Sequence, residues 1–348
     1  MSRSNAQFRI QNTIPYDWMK PILFRMAPEQ SHHFSMSWLQ RAYRAKLTGP
    51  SEPLKGVATR VAGLHFSNRV GLAAGLDKNA EFIDALGSLG FGFIEVGTVT
   101  PKPQAGNEQP RLFRLKNHQA IINRMGFNNY GIEAMVTHLQ RRSYTGLVGV
   151  NIGKNKDTPQ ERAAQDYIVC MSAVFGLCDY LTVNISSPNT EGLRALQEQA
   201  ALADLLRQVK TKYAQLVQRY QKRPPLFLKV APDLSAQGIA DIAKLALEYE
   251  LDGLVVSNTT IDRSQVETHL YSHQAGGLSG APLRDQSTQV IQSFRQELGP
   301  DMPIIGVGGI FCAHDGQSKL EAGADLVQIY TGFIYEGPKL VRDLVRAL

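Results

Sequence analysis

The sequence predicts an α/β protein, a (β/α)8 barrel preceded by a small helical extension. Three observations predict it. From about residue 69 the chain alternates short β-branched runs with stretches of helical period, the runs number eight, and they are nearly continuously apolar. Strands of that kind, alternating with helices, belong to a parallel sheet covered on both faces, and eight such units close a barrel.

The strands are expected at Val70–Ala73, Phe93–Gly97, Leu147–Ile152, Tyr180–Ile185, Leu226–Ala231, Gly253–Ser257, Pro303–Val307 and Leu326–Tyr330. Between them, apolar residues recur at i, i+3, i+4 spacing, as Ile239, Ile242, Ala243, Ala246 and Leu247 do. An open doubly wound sheet is the competing architecture and usually carries G-x-G-x-x-G after its first strand. The turn here, Gly71-Leu-Ala-Ala-Gly-Leu-Asp77, does not match. Three loops, 98–128, 186–197 and 259–283, exceed ordinary length and are expected to serve function.

Ahead of the barrel, Trp18–Phe24 and Phe34–Tyr43 read as two short helices separated by Ala27-Pro28-Glu29. In the second, Phe34, Trp38, Leu39, Ala42 and Tyr43 are expected on one face, with Gln40, Arg41 and Arg44 opposite. The net charge of +6 has its origin here: residues 1–60 hold nine Lys/Arg and three Asp/Glu, whereas 61–348 hold 28 of each. Both tryptophans fall in this segment. Packing on a barrel end would explain two amphipathic helices, but the charge and aromatic bias favours a pair lying on an anionic membrane surface. The expected division is therefore 1–60, an amphipathic membrane-facing segment, and 61–348, the barrel.

The same arithmetic argues against a nucleic-acid partner, because the barrel has no charge surplus. Cys170, Cys178 and Cys312 form no C-x-x-C pair and leave one thiol unmatched in any disulfide scheme, which points to a reducing compartment and no metal centre. No run of 18 apolar residues occurs and MSRSNAQFRI has no hydrophobic core, so neither a spanning helix nor a secretory signal is expected.

Strand ends carry the candidate chemistry. Val183-Asn-Ile-Ser-Ser-Pro-Asn-Thr190 follows the fourth strand; as a lone segment it is ordinary turn chemistry. Other strands end alike, however: Asn151 closes the third and Asn258-Thr259-Thr260 the sixth. Lys229 points inward by alternation, where it needs a counter-charge or a cofactor. Gly306-Val-Gly-Gly309 and Tyr330-Thr-Gly332 follow the last two strands, the usual phosphate position of a barrel.

Six motifs together make a resemblance specific. Ala73-Ala-Gly-Leu-Asp-Lys78, Asn123-Arg-Met-Gly-Phe-Asn128, Ile152-Gly-Lys-Asn155, Asn184-Ile-Ser-Ser-Pro-Asn189, Gly276-Gly-Leu-Ser-Gly280 and Gly306-Val-Gly-Gly-Ile310 occur in order. Across nearly all of residues 20–348 the chain resembles the class 2, quinone-dependent dihydroorotate dehydrogenases. The resemblance implies an FMN-containing barrel that oxidises dihydroorotate to orotate in pyrimidine synthesis, with a membrane quinone as acceptor. It also implies a peripheral position on the cytoplasmic face of the inner membrane.

Motif by motif, the resemblance makes Ser187 the catalytic base. Lys78 and Asn123, Arg124, Met125, Gly126 and Phe127 would hold the substrate, with Asn184, Asn189, Asn258 and Thr259 bonding its pyrimidine edges. For FMN it implies Ala74, Gly75, Leu76, Asp77, Lys78, Thr98 and Asn151 from the first strands. From the later ones it implies Asn184, Lys229, Ser257, Gly280, Gly309, Tyr330 and Thr331. His32, Arg114 and Tyr330 would line the inner end of a quinone tunnel. The chain departs from the common pattern at Ser257, where Thr is frequent, at the Asn-Ala-Glu after Lys78, and in about a dozen extra residues at the start.

The chemistry implied is loss of a proton from C5 of dihydroorotate and of a hydride from C6. Asparagines suit a neutral pyrimidine because each offers a donor and an acceptor. A soluble dihydroorotate oxidase would favour Cys at position 187 and lack the helical pair. A dihydrouridine synthase would need a basic catalytic face. A membrane-surface adaptor would bind no flavin.

Overall fold

The computed structural model describes residues 16–190 and 192–348; the segment 1–14, whose role the sequence leaves open, lies outside the described residues. The chain enters through α1 (Tyr16–Leu23) and α2 (Pro28–Arg44), then a hairpin of β1 (Thr59–Val61) and β2 (Leu64–Phe66). The expected boundary at residue 60 falls inside β1. The barrel follows as β3 (Val70–Leu72), α3 (Ile83–Gly87), β4 (Phe93–Val99), the inserted β5 (Leu112–Leu115) and β6 (Ala120–Asn123), α4 (Ile132–Arg141) and β7 (Leu147–Ile152). It continues with α5 (Ala163–Val174), β8 (Tyr180–Asn184), α6 (Gln199–Tyr220), β9 (Leu226–Val230), α7 (Ala236–Glu248) and β10 (Gly253–Val256). The inserted β11 (Gly277–Gly280), α8 (Arg284–Leu298), β12 (Ile304–Val307), α9 (Ala313–Glu321), β13 (Leu326–Ile329), α10 (Thr331–Glu336) and α11 (Pro338–Ala347) complete it.

Strands β3, β4, β7, β8, β9, β10, β12 and β13 pair in parallel and close on themselves, as the eight apolar runs predict. Their observed ends differ from the expected ones by at most two residues. Two of the three long loops are not irregular throughout: β5, β6 and β11 pair as an antiparallel sheet, with Leu278 opposite Ile122 and Ile122 opposite Phe113. This small sheet contributes Asn123, Ser279 and Gly280 to the cavity at the carboxyl ends of the barrel strands.

Aromatic rings fill one end of the barrel interior. Phe66 of β2 packs edge-on to Phe93, Phe93 on Tyr180, and Tyr180 on Phe227, all buried. Rings of this size fit because the neighbouring strands carry glycine beneath them: a Cβ at Gly71 would lie 2.3 Å from the Phe93 ring, and one at Gly149 2.0 Å from that of Tyr180. The β1–β2 hairpin thus stoppers one end of the barrel and leaves the other for the site.

The extension packs on the barrel differently from the face expected of it. Leu23, Met36 and Ala42 are buried, while Phe34, expected on the same face as Ala42, stands in solvent. Trp38 and Leu39 line a cavity instead. Pro28 at the first helical positions of α2 costs no hydrogen bond there, and Tyr16 donates its hydroxyl to the Ile334 carbonyl, tying α1 to α10.

Candidate active site

Above the aromatic stopper lies a polar layer. Glu95 of β4, with no exposed surface, accepts from Asn151 Nδ2 (2.7 Å), Gln328 Nε2 (2.8 Å) and the Tyr180 hydroxyl (3.1 Å). Asn151 in turn accepts from Thr98 Oγ1 at 2.5 Å and from Asn184 Nδ2 at 3.1 Å. A buried carboxylate normally needs such a set of donors. Lys229 of β9 faces Glu95 from across the interior; burial pulls its pKa below the ordinary lysine value while Glu95 opposes that. Its ammonium makes no protein hydrogen bond among the described residues, and the residue lines the cavity above.

That cavity, about 140 Å³, opens among the carboxyl ends of the strands. The Asn184–Thr190 loop forms one wall by bonding to itself: Ser186 Oγ donates to Asn184 Oδ1 (2.9 Å) and accepts from Asn258 Nδ2 (2.9 Å). Ser187 Oγ, in the same wall, accepts from the Asn189 N–H at 3.2 Å. Asn189 Nδ2 reaches Asn123 Oδ1 at 3.2 Å, so amides from two loops meet there. Among the described residues Asn189 Oδ1 and Thr259 Oγ1 are buried without partners, which leaves an acceptor and a hydroxyl for a polar ligand.

Lys78 closes the opposite side. Its Nζ donates to the Gly75 carbonyl at 2.8 Å, and burial lowers its pKa to about 8, with Glu29 raising it and Arg111 lowering it. Ala74, Gly75, Thr98, Ser257, Gly280, Gly309, Tyr330 and Thr331 line the cavity, as do Met125, Gly126 and Phe127.

A second cavity of about 410 Å³ runs from the first to the helical extension. It is lined by Leu23, Met36, Trp38 and Leu39 at one end and by His32, Arg114 and Tyr330 deeper in. Lys78, Met125 and Tyr330 belong to both walls. Burial holds His32 neutral, its pKa lowered to about 3, with the Lys78 and His33 charges adding to this. Arg114 stacks 4.8 Å from the Phe24 ring centroid and donates to the Leu23 and Met26 carbonyls. Tyr330 has its hydroxyl pushed up to about 12 by burial.

Four residues expected in the wall stand elsewhere. Asp77 uses both carboxylate oxygens to cap the N–H groups of Glu81 (2.9 Å) and Phe82 (2.8 Å), so it shapes the turn. Leu76 lines the larger cavity only. Arg124 turns outward over Phe113 and donates to Gln274 Oε1 and the Pro110 carbonyl, both at 2.7 Å. Asn151 is outside the cavity wall and bonds to Thr98 and Asn184, which line it. Sequence reasoning missed Arg194, which donates to the Ser186 and Thr259 carbonyls (3.1 and 2.9 Å) and pairs with Asp233 at 2.8 Å. It also missed Glu95. An inward charged residue in an apolar strand is the signal by which Lys229 was found, and Glu95 carries the same one.

Comparison with known proteins places this geometry. The dihydroorotate dehydrogenase family model matches residues 56–348. A dihydroorotate dehydrogenase (quinone) of a Psychrobacter species is 50% identical over 333 residues, covering 96% of this chain and 97% of that one. That of Stenotrophomonas maltophilia is 52% identical over 341 residues, covering 96% and 95%. The ligand-free dihydroorotate dehydrogenase structure from Eimeria tenella superposes with a TM-score of 0.84 at 39% identity, over 91% of this chain and 93% of that one. The same enzyme in complex with ferulenol gives 0.83 at 38%, over 91% and 89%. The chain belongs to the dihydroorotate dehydrogenase family, and its relatives at about half identity are those named as quinone-dependent.

Proposed function

We propose that this chain oxidises (S)-dihydroorotate to orotate with FMN as its bound redox group and a membrane quinone as final acceptor, a step of pyrimidine synthesis. The observation that carries this reading is the meeting of two cavities at Tyr330 and Lys78, one polar with Ser187 in its wall and one apolar that opens at the helical extension.

The residues present fit a flavin. Among the described residues Lys229 is a buried cation without a protein hydrogen bond, suited to the electron-rich pyrimidine edge of an isoalloxazine, and Gly309 admits no side chain, since a Cβ there would lie 2.4 Å from Arg284 Cα. Ala74, Gly75, Thr98, Asn184, Ser257, Gly280, Tyr330 and Thr331 complete its surroundings. Once bound, FMN supplies the hydride acceptor and the route for electrons to the quinone.

The protein's own groups handle the substrate and the proton. Lys78, as an ammonium, holds the substrate carboxylate, and Asn123, Asn184, Asn189, Asn258 and Thr259 read the ring's N–H and C=O edges. Ser187 Oγ takes the C5 proton as its own hydroxyl proton passes to water in the cavity, and the Asn189 N–H stabilises the oxygen during the transfer. The C5=C6 double bond of orotate forms as the C6 hydride departs.

The extension serves as the docking unit. Trp18 is 80% exposed and Ile22 63%, next to Lys20 and Arg25, an arrangement suited to an anionic lipid surface. Among the described residues no helix is long and apolar enough to cross a membrane. We place the docked protein at the cytoplasmic face of the inner membrane and take residues 1–60 and 61–348 as its docking and catalytic units.

Anaerobic mixing with dihydroorotate, followed by a short-chain quinone, tests the whole reading. Bleaching of the flavin band and its return on quinone addition are expected. Protein that purifies without flavin, or flavin that dihydroorotate leaves oxidised, would overturn it.

A further inference from the structure

Behind the Gly308-Gly309 turn lies a buried cluster that the mechanism leaves unused. Lys319 of α9 has no exposed surface, and its ammonium donates to the Arg284 carbonyl (2.7 Å), Ser287 Oγ (2.5 Å) and Thr288 Oγ1 (2.6 Å). The three hydrogens of the ammonium meet three acceptors, while burial lowers its pKa to about 7 against the opposing pull of Asp315 and Asp285. Thr288 Oγ1 also donates to the Arg284 carbonyl, at 2.9 Å. Ser287 Oγ, with one hydrogen to give, lies 3.0 Å from the Arg284 carbonyl and 3.1 Å from that of Gly308, and so bridges the two. The next carbonyl, that of Gly309, accepts from Arg284 Nε at 3.3 Å, and Asp315 fixes the guanidinium at 3.1 Å.

A trans peptide sets its N–H antiparallel to its C=O. With both carbonyls drawn toward α8, the N–H groups of Gly309 and Ile310 face the cavity that both residues line. Both residues are buried, and among the described residues neither N–H meets a protein acceptor. Buried N–H groups without a partner are rare, so two in succession mark a place for a bound acceptor.

Resting on the flavin reading, we infer that Lys319 and Arg284 are positioning residues for the FMN phosphate, acting through two peptide groups rather than by contact. Each cation fixes one peptide carbonyl and polarises that peptide, which turns its N–H toward the cavity and makes it a stronger donor to a dianion. Neither cation lines the cavity itself. The turn is thereby held in its phosphate-binding form before the cofactor arrives.

Titration of FMN and of riboflavin, which lacks the phosphate, onto apoprotein by flavin fluorescence tests this. Lys319→Met and Arg284→Gln are each expected to raise the FMN Kd about ten- to hundredfold, the range for a hydrogen bond to a charged group, with riboflavin affinity nearly unchanged. Equal losses for both ligands would reduce the cluster to packing, and an unchanged FMN Kd would dismiss it. Arg284 is partly exposed, so Arg284→Gln decides alone if Lys319→Met does not fold. Wild-type apoprotein that binds neither flavin would remove the proposed function itself, a different result from wild-type binding with variants that do not discriminate.

Discussion

Glu29 of α2 and Arg111 of the loop between β4 and β5 form a largely buried 2.6 Å ion pair that joins the helical extension to the barrel mouth. Arg111 also donates to the Ala105 and Asn107 carbonyls at 2.6 and 2.8 Å. Asn107 Nδ2 then reaches the Asn189 carbonyl at 3.2 Å, two residues from Ser187. Helix α2 is thus linked to the Asn184–Thr190 loop by polar contacts alone.

Removing one partner of a buried pair leaves the other charge uncompensated, at a cost of about 3 kcal/mol. Glu29→Gln is expected to lower unfolding stability by about that amount and to raise KM for dihydroorotate several-fold with a soluble acceptor. Urea unfolding and steady-state kinetics check it, and wild-type values in both would show the link to be idle.

Ser187→Ala is expected to keep FMN bound and to slow flavin reduction by dihydroorotate about 10²- to 10⁴-fold, the usual contribution of a positioned base. Stopped-flow absorbance measures this. An unchanged reductive half-reaction would take Ser187 out of the mechanism.

The pKa of Lys78, lowered by burial to about 8, sets a pH dependence. The ammonium, proposed to hold the substrate carboxylate, is present below that value and lost above it. KM for dihydroorotate should therefore be flat below about pH 7 and climb about tenfold per unit beyond pH 8, as for loss of one bound proton. Lys78→Arg, which stays charged, should abolish the climb whatever its effect on KM itself.

Trp18→Ser combined with Ile22→Ser removes two exposed apolar groups from α1. Binding to vesicles containing anionic lipid is expected to weaken at least about tenfold, given roughly 1.5–3 kcal/mol for burying a large apolar side chain. Turnover with a soluble acceptor should stay at the wild-type rate. Sedimentation with vesicles and a dye-reduction assay separate the two, and undiminished vesicle binding would place the lipid contact elsewhere.

The sequence by itself determined the barrel, since each of its strands is a local run of apolar residues whose period and flanking turns are set within a few positions. It also located the residues that crowd the strand ends, because turn chemistry and motif spacing are local too. Long-range pairing decided the rest. Strands β5, β6 and β11 stand outside the strand–helix alternation that marks the barrel strands, and they form because Gly277–Gly280 meets Ala120–Asn123 from far along the chain. Asp77 reads as a site residue in its motif but becomes a cap once the turn exposes two N–H groups to it. Glu29 and Arg111, Arg194 and Asp233, and Lys319 beneath the glycine turn acquire partners only when barrel closure sets their separations. Hydrogen bonds and ion pairs fall off within a few ångströms, and those distances exist only in the folded chain.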